Sequence, residues 1–191
     1  MVWAPSALWV PDRNAYATFW ASRIYANSDT QRAGKAGNDK IYYSLTSDFV
    51  TFSSPQLWLE ESYSIIDQEL LAVSAGSYVR FIKDANVNKV YTEHSDNGVF
   101  GTWKRIDANN YIVNGIREGP AAFKDIKNSA RTWLWLDNYR GSGGYEAYYN
   151  DDITKNIWTP GNPSLTPKGM RHGAIQQVTQ AQLDAIRAKF P

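Results

Sequence analysis

Four short segments, spread over a chain of 191 residues, each set a polar side chain just ahead of an apolar stretch. They are Trp3-Ala4-Pro5-Ser6-Ala7-Leu8-Trp9, Ile66-Asp67-Gln68-Glu69-Leu70-Leu71, Arg117-Glu118-Gly119-Pro120-Ala121-Ala122-Phe123 and Arg171-His172-Gly173-Ala174-Ile175. From Ser6 the polar residues Asp67, Glu118 and His172 follow at spacings of 61, 51 and 54. Carboxylates and an imidazole are side chains that move protons in general acid–base chemistry. In apolar surroundings they are worth their desolvation cost only where a fold gathers them at one pocket.

The elements that would gather them read as short strands. Segments 16–20, 41–45, 78–82, 89–92 and 132–136 are rich in β-branched and aromatic residues, and turn formers such as Pro11-Asp12-Arg13-Asn14 and Asp84-Ala85-Asn86 bound them. One helix is expected, at the C-terminus: Thr179 caps it, Gln182 completes a capping box, and Leu183, Ile186 and Phe190 share a face. A second recurrence interleaves with the first. Strands ending at Tyr43, Tyr91 and Tyr149 each run into a polar turn, at Ser47, Ser95 and Asp151, spaced 48 and 56 residues apart. A period near 50 made of about four strands is the size of one blade of a β-propeller. Innermost strands of successive blades start near a common axis, so Ser6, Asp67, Glu118 and His172 would meet at one end of a central channel.

Composition narrows the function. Lys and Arg number 20 against 19 Asp and Glu, and a net charge of +1 speaks against nucleic acid or a membrane surface as partner. No apolar run reaches the ~18 residues of a membrane-spanning helix, and the start Met1-Val2-Trp3-Ala4-Pro5 lacks a basic, then apolar, leader pattern. There is no cysteine, and Asn162-Pro163-Ser164 is excluded as a glycosylation sequon by its proline. The unusual figure is 8 Trp, 12 Tyr and 7 Phe, or 14% aromatics, which suits an all-β protein that handles something flat or sugar-like.

At these same residues the chain resembles glycoside hydrolase family 43, five-bladed β-propellers acting on arabinose- and xylose-containing polysaccharides. Trp3-Ala4-Pro5-Ser6 is similar to the start of that family's second blade, Ile65-Ile66-Asp67 to its third, Arg117-Glu118-Gly119-Pro120 to its fourth and Arg171-His172-Gly173 to its fifth. The fold implied is an incomplete five-bladed propeller, a single partial domain over residues 1–191 with about three full blades, the inner strand of another and the short helix. The context from Leu136 to Glu146 is most similar to arabinofuranosidase and exo-arabinanase members.

The resemblance implies an inverting hydrolysis in which Glu118 is the general acid and Asp67 raises its pKa by like charge. Arg117 and Arg23 would hold sugar hydroxyls, with Trp3, Ser6, Trp20 and Gln68 also at the substrate. Trp58 is a further stacking candidate, whereas Trp133 and Trp135, alternating with Leu134 and Leu136, look like two faces of a buried strand. His172 would lie beneath the sugar, beside a water cluster or an ion. No cofactor is required, and a structural calcium ion near His172 is the one metal the resemblance suggests. The expected partner is an oligosaccharide or polysaccharide met outside the cell.

One departure stands out. An inverting enzyme needs a base carboxylate roughly 6.5–9.5 Å from the acid, and the family carries it in the blade ahead of the Trp-Ala-Pro segment. Asp12 lies in a turn at the far end of its strand and Ser6 cannot substitute, so the base is expected to be missing from this chain. The missing blade would come from a longer parent enzyme or a separate complementing chain, or the open propeller edges would pair with a second copy. The alternative is a non-catalytic carbohydrate-binding or vestigial propeller. A protein-interaction propeller fits least, because it gives no reason for the two acids.

Overall fold

The computed structural model describes residues 2–191 apart from Lys35 and Ser142. The described residues form three four-stranded antiparallel sheets, each assembled in chain order. The first contains β1 (Trp3–Val10), β2 (Ala15–Ser22), β3 (Lys40–Thr46) and β4 (Gln56–Leu59). The second contains β5 (Ile65–Ser74), β6 (Ser77–Asp84), β7 (Lys89–Ser95) and β8 (Lys104–Arg105). The third contains β9 (Glu118–Lys124), β10 (Thr132–Asp137), β11 (Tyr145–Asn150) and β12 (Thr159–Pro160). The recurring polar turns follow the third strand of each sheet. There Asp48 accepts from the backbone of Val50 and Thr51, Ser95 donates to the Gly98 carbonyl, and Asn150 accepts from the Asp152 amide.

Alternation explains how the sheets stack. In β6, Tyr78 and Ile82 join a core with Phe19, Ala21 and Ile41 of the first sheet. Val79 and Phe81, on the other face, join a core with Leu134, Leu136 and Tyr148 of the third. The middle sheet is thus packed on both faces, which is why nearly all of β6 is buried. The flanking sheets bury one face each. On β1 the odd positions Trp3, Pro5, Ala7 and Trp9 stay exposed, and on β10 Trp133 and Trp135 are only half-buried while Leu134 and Leu136 are fully so. The expectation of two buried faces for that strand therefore holds for the leucine face alone.

The inner strands share a device that positions the site. Each ladder slips near its start: between Trp3 and Ser6 in β1, between Ile66 and Glu69 in β5, and opposite Gly119 and Pro120 in β9. At each slip one residue takes a left-handed backbone, Ala4 with φ 45°, Asp67 with φ 53° and Gly119 with φ 51°. These are β-bulges, which bend a strand and re-aim its side chains. A left-handed alanine or aspartate costs about 1–2 kcal/mol, a strain kept at positions that matter.

One expectation is corrected here. Residues 171–174 reach the same axis, and His172 repeats the left-handed backbone with φ 52°, but they form no strand. The expected helix is present as α1 (Gln180–Lys189) with its full Thr179–Gln182 capping box; Ile186 and the C-capping Phe190 are exposed.

Candidate active site

The bulges set the true register of the four segments. Ala4, Asp67, Gly119 and His172 are equivalent by backbone conformation. Ser6 therefore matches Glu69, two residues beyond Asp67, and its hydroxyl donates to Glu69 Oε2 at 2.8 Å. Glu118 stands one residue before its own bulge. Together the segments line a small axial cavity of about 50 Å³, walled by residues 4–6, 67–69, 119–120 and 172–174. A wider cleft of about 320 Å³ opens beside it, lined by Trp3, Ala4, Ile66, Asp67, Glu118 and His172.

Asp67, Glu118 and His172 meet at that cleft, one ligand-type atom of each lying within 4.8 Å of the others. His172 Nε2 donates to Glu118 Oε1 at 3.1 Å, and the Gly119 amide donates to Asp67 Oδ2 at 3.2 Å. The other oxygen of Glu118 is held by Lys83, whose Nζ lies 2.6 Å from Oε2. Lys83 itself is 5% exposed at its side chain, with its ammonium 5.0 Å from the centre of the Tyr139 ring. His172 is set in place although its segment is not a strand: the Gly173 amide donates to Tyr145 Oη at 2.7 Å, and Arg171 approaches fully buried Asp137 at 3.8 Å.

The electrostatics reverse the expected order. Burial alone would push the Glu118 carboxyl up, but the hydrogen bonds from His172 and Lys83 outweigh it and bring its pKa down to about 2. Asp67 is the acid that rises, through burial, against the opposing influence of His172 and the Gly119 amide. His172 is raised by its bond to Glu118, against its own burial. Like charge from Glu118 is the smallest of the influences named on Asp67, and at Glu118 the governing influences are burial and the contacts with His172 and Lys83.

Other expected site residues separate into those at the cleft and those elsewhere. Trp3, 44% exposed, walls it. Gln68 is buried in the axial cavity with neither side-chain polar atom bonded. Arg117 turns away to Glu146 at 2.6 Å and to Tyr148, so it braces the third sheet rather than facing a sugar. Arg23 makes a two-pronged pair with Asp39, both contacts 2.7 Å, and lies outside both cavities. Trp20 sits on β2 paired with Tyr42, also away from the cleft. Trp58 packs edge-on against Phe19 and Tyr43 in the core. Asp12, in the turn after β1, is exposed beside Arg13.

The residues not foreseen are Lys83, Glu69, Asp137 and Tyr145. Lys83 had a signal: it and Arg80 are cations inside the strand Tyr78-Val79-Arg80-Phe81-Ile82-Lys83, and a cation buried in such a run needs a buried anion.

The donor set does not suit a calcium ion. Calcium takes six to eight oxygen ligands. Here Lys83 already occupies one Glu118 oxygen, His172 the other, and a peptide N–H one oxygen of Asp67. An ammonium supplies the positive charge that a metal would bring.

Four-stranded sheets stacked face to face, with inner-strand bulges that carry two acids and a histidine to one axial cleft, are an arrangement similar to that of propeller-type glycoside hydrolases. Solved structures of that class share the fold. A variant of the family-43 protein BlXynB from Bacillus licheniformis superposes with a TM-score of 0.56 at 16% identity, over 91% of this chain and 33% of that one. The α-L-arabinofuranosidase PaAbf62A from Podospora anserina, in complex with cellotriose, gives 0.52 at 12% identity, over 83% and 49%. An α-L-arabinofuranosidase of Bifidobacterium longum subsp. longum is 39% identical over 92 residues, 44% of this chain and 8% of that protein. This chain thus spans less than half the length of each. The family model described as a probable glycosyl hydrolase domain, related to family 43, matches residues 1–184, and the chain belongs to that family.

Proposed function

We propose that this chain provides the acid side of an inverting glycoside hydrolase acting on arabinose- or xylose-containing polysaccharide outside the cell, of α-L-arabinofuranosidase or exo-arabinanase type. The observation that carries the reading is the meeting of Glu118, Asp67 and His172 at an open cleft beside half-exposed Trp3. Glu118 protonates the departing glycosidic oxygen, and Trp3 offers a stacking face to the ring. Asp67 and His172 orient the acid. A base carboxylate is expected from outside these residues, because Asp12 follows β1 at the end opposite Trp3 and Ser6 is committed to Glu69.

The experiment is hydrolysis of aryl and alkyl arabinofuranosides and xylosides with Glu118→Gln as control. Loss of a general acid costs roughly 10²–10⁴-fold, with the larger loss on the alkyl glycoside, whose poor leaving group needs the proton. Rates unchanged by Glu118→Gln would remove the acid assignment.

One observation favours a second reading, a carbohydrate-binding propeller without chemistry. A carboxyl brought down to about 2 is an anion at neutral pH, the state of a hydroxyl-binding group rather than a proton donor. Titration with arabino-oligosaccharides, followed by tryptophan fluorescence, separates the two: saturation without product supports binding alone.

A further inference from the structure

Resting on the reading of Glu118 as the acid, one residue outside the expected site has a place in the chemistry. We propose that Lys83 is the positioning residue of Glu118: anchored on β6, it aims the carboxyl into the cleft and holds it there until an arriving sugar takes over one of its oxygens. The geometry is specific. Nζ is 2.6 Å from Oε2, the lysine and glutamate side chains are 5% and 16% exposed, and the Tyr139 ring covers the ammonium at 5.0 Å. Lys83 and Glu118 are 35 residues apart and belong to different sheets, so the pair also ties the second sheet to the third across the mouth of the channel.

The groups facing Glu118 are Asp67 from β5, Lys83 from β6, and His172 from the C-terminal segment, with Asp137 and Arg171 beyond His172. Of these Lys83 and His172 touch the carboxylate directly. An ion pair is broken at high cost when one partner is buried and alone. A sugar hydroxyl or glycosidic oxygen entering the cleft supplies the replacement contact. With the ammonium displaced from Oε2, that oxygen can take up a proton from solvent water, and Glu118 changes from a fixed anion to an acid only when a substrate is present.

The test follows the carboxyl itself. Protein labelled with ¹³C at glutamate side-chain carboxyls is titrated from pH 3 to 8, the Glu118 resonance being assigned by its loss in Glu118→Gln. In the wild-type chain this resonance should stay in its ionised position throughout. In Lys83→Met it should titrate within the window, its midpoint higher by about one pH unit or more, a tenfold change in proton affinity. Lys83→Arg should restore the wild-type behaviour. Tyr139→Leu, which frees the ammonium from one side, gives a smaller rise and serves if Lys83→Met does not fold.

Kinetics give the second reading. The alkaline limb of kcat/KM on an aryl arabinofuranoside, which marks loss of the acid's proton in the free enzyme, should move upward in Lys83→Met. KM should change less than kcat. A Glu118 resonance that stays ionised in both Lys83→Met and Tyr139→Leu overturns the assignment, whatever the activity. If instead the glycosidase reading is wrong, that appears separately, as Glu118→Gln indistinguishable from wild type in hydrolysis.

Discussion

Two glutamates at the axis, Glu118 at the mouth and Glu69 in the cavity below it, show opposite solutions to the same burial. Glu118 meets two cationic donors, Lys83 and His172, and its pKa falls to about 2. Glu69 is more deeply buried, among the described residues bonds only the Ser6 hydroxyl, and is pushed up to about 7. Desolvation is the leading influence on both. What decides the direction is whether the partner brings charge: a hydroxyl dipole does not offset the loss of water around a carboxylate, whereas two cations do. The mouth is therefore built to keep an anion and the cavity below it to keep a neutral acid.

The contrast makes the two ends of the axis respond to pH with opposite sign. Glu69 binds its proton more tightly in the folded chain than in the unfolded one, whose value is near 4.5. Its contribution is fully present below pH 4.5 and is lost as pH rises towards 7. Glu118 is the reverse: its contribution is present above pH 4.5 and is lost as pH falls towards 2. Replacing Glu69 by Gln keeps the shape and removes the titration. Relative to the wild type, Glu69→Gln should gain about 3 kcal/mol between pH 4 and pH 8, at roughly 1.4 kcal/mol for each pH unit of displacement. Urea denaturation at the two pH values measures it. A constant difference between variant and wild type would mean that Glu69 ionises freely in the folded chain, and the contrast with Glu118 would fail.

A smaller effect tests whether the mouth depends on the bulges. Gly119 is the only glycine among the three bulge residues of the strands, with φ 51°, and a β-carbon there would lie 3.0–3.2 Å from three atoms of the His172 ring. Gly119→Ala therefore adds backbone strain and pushes the imidazole off Glu118. A loss of about 1–2 kcal/mol is expected from the left-handed backbone. The imidazole proton affinity should drop towards the ordinary histidine value, read by NMR titration of His172, while Glu69 titrates as before. If His172 keeps its raised value in this variant, the bulge does not position it.

Much of this architecture was legible from residue types. The period near 50 became sheets starting at Trp3, Ile65 and Glu118, and the two acids and the histidine of the repeat do meet. The alignment between segments was not legible to the residue. Ser6 had been matched with Asp67, yet it pairs with Glu69, because each strand carries a bulge and only Gly119 among the strand bulges advertises one by being glycine. The direction of the Glu118 shift was hidden for a related reason. Like charge from Asp67 follows from local sequence and the repeat, whereas Lys83 reaches Glu118 from another sheet. The arginines misled because both are long, and each found a nearer carboxylate: Arg23 with Asp39 and Arg117 with Glu146.

The smallest expected effect isolates the single bond on which the lower half of the contrast rests. Ser6 Oγ donates to Glu69 Oε2 across β1 and β5, and among the described residues this bond is the one influence that opposes burial at that carboxyl. Ser6→Ala removes it without adding volume. A net loss of about 1 kcal/mol is expected, the usual worth of one intramolecular hydrogen bond, and it should be larger at pH 8 than at pH 4, because the ionised carboxylate loses a charge-assisted donor. The midpoint of Glu69 should move above 7, since nothing then favours the anion. If the midpoint falls instead, water or Gln68, whose amide is otherwise unpartnered, has taken the place of the hydroxyl. The cavity would then be hydrated enough to make Glu69 an ordinary carboxylate, and partner charge would no longer explain why the two glutamates differ.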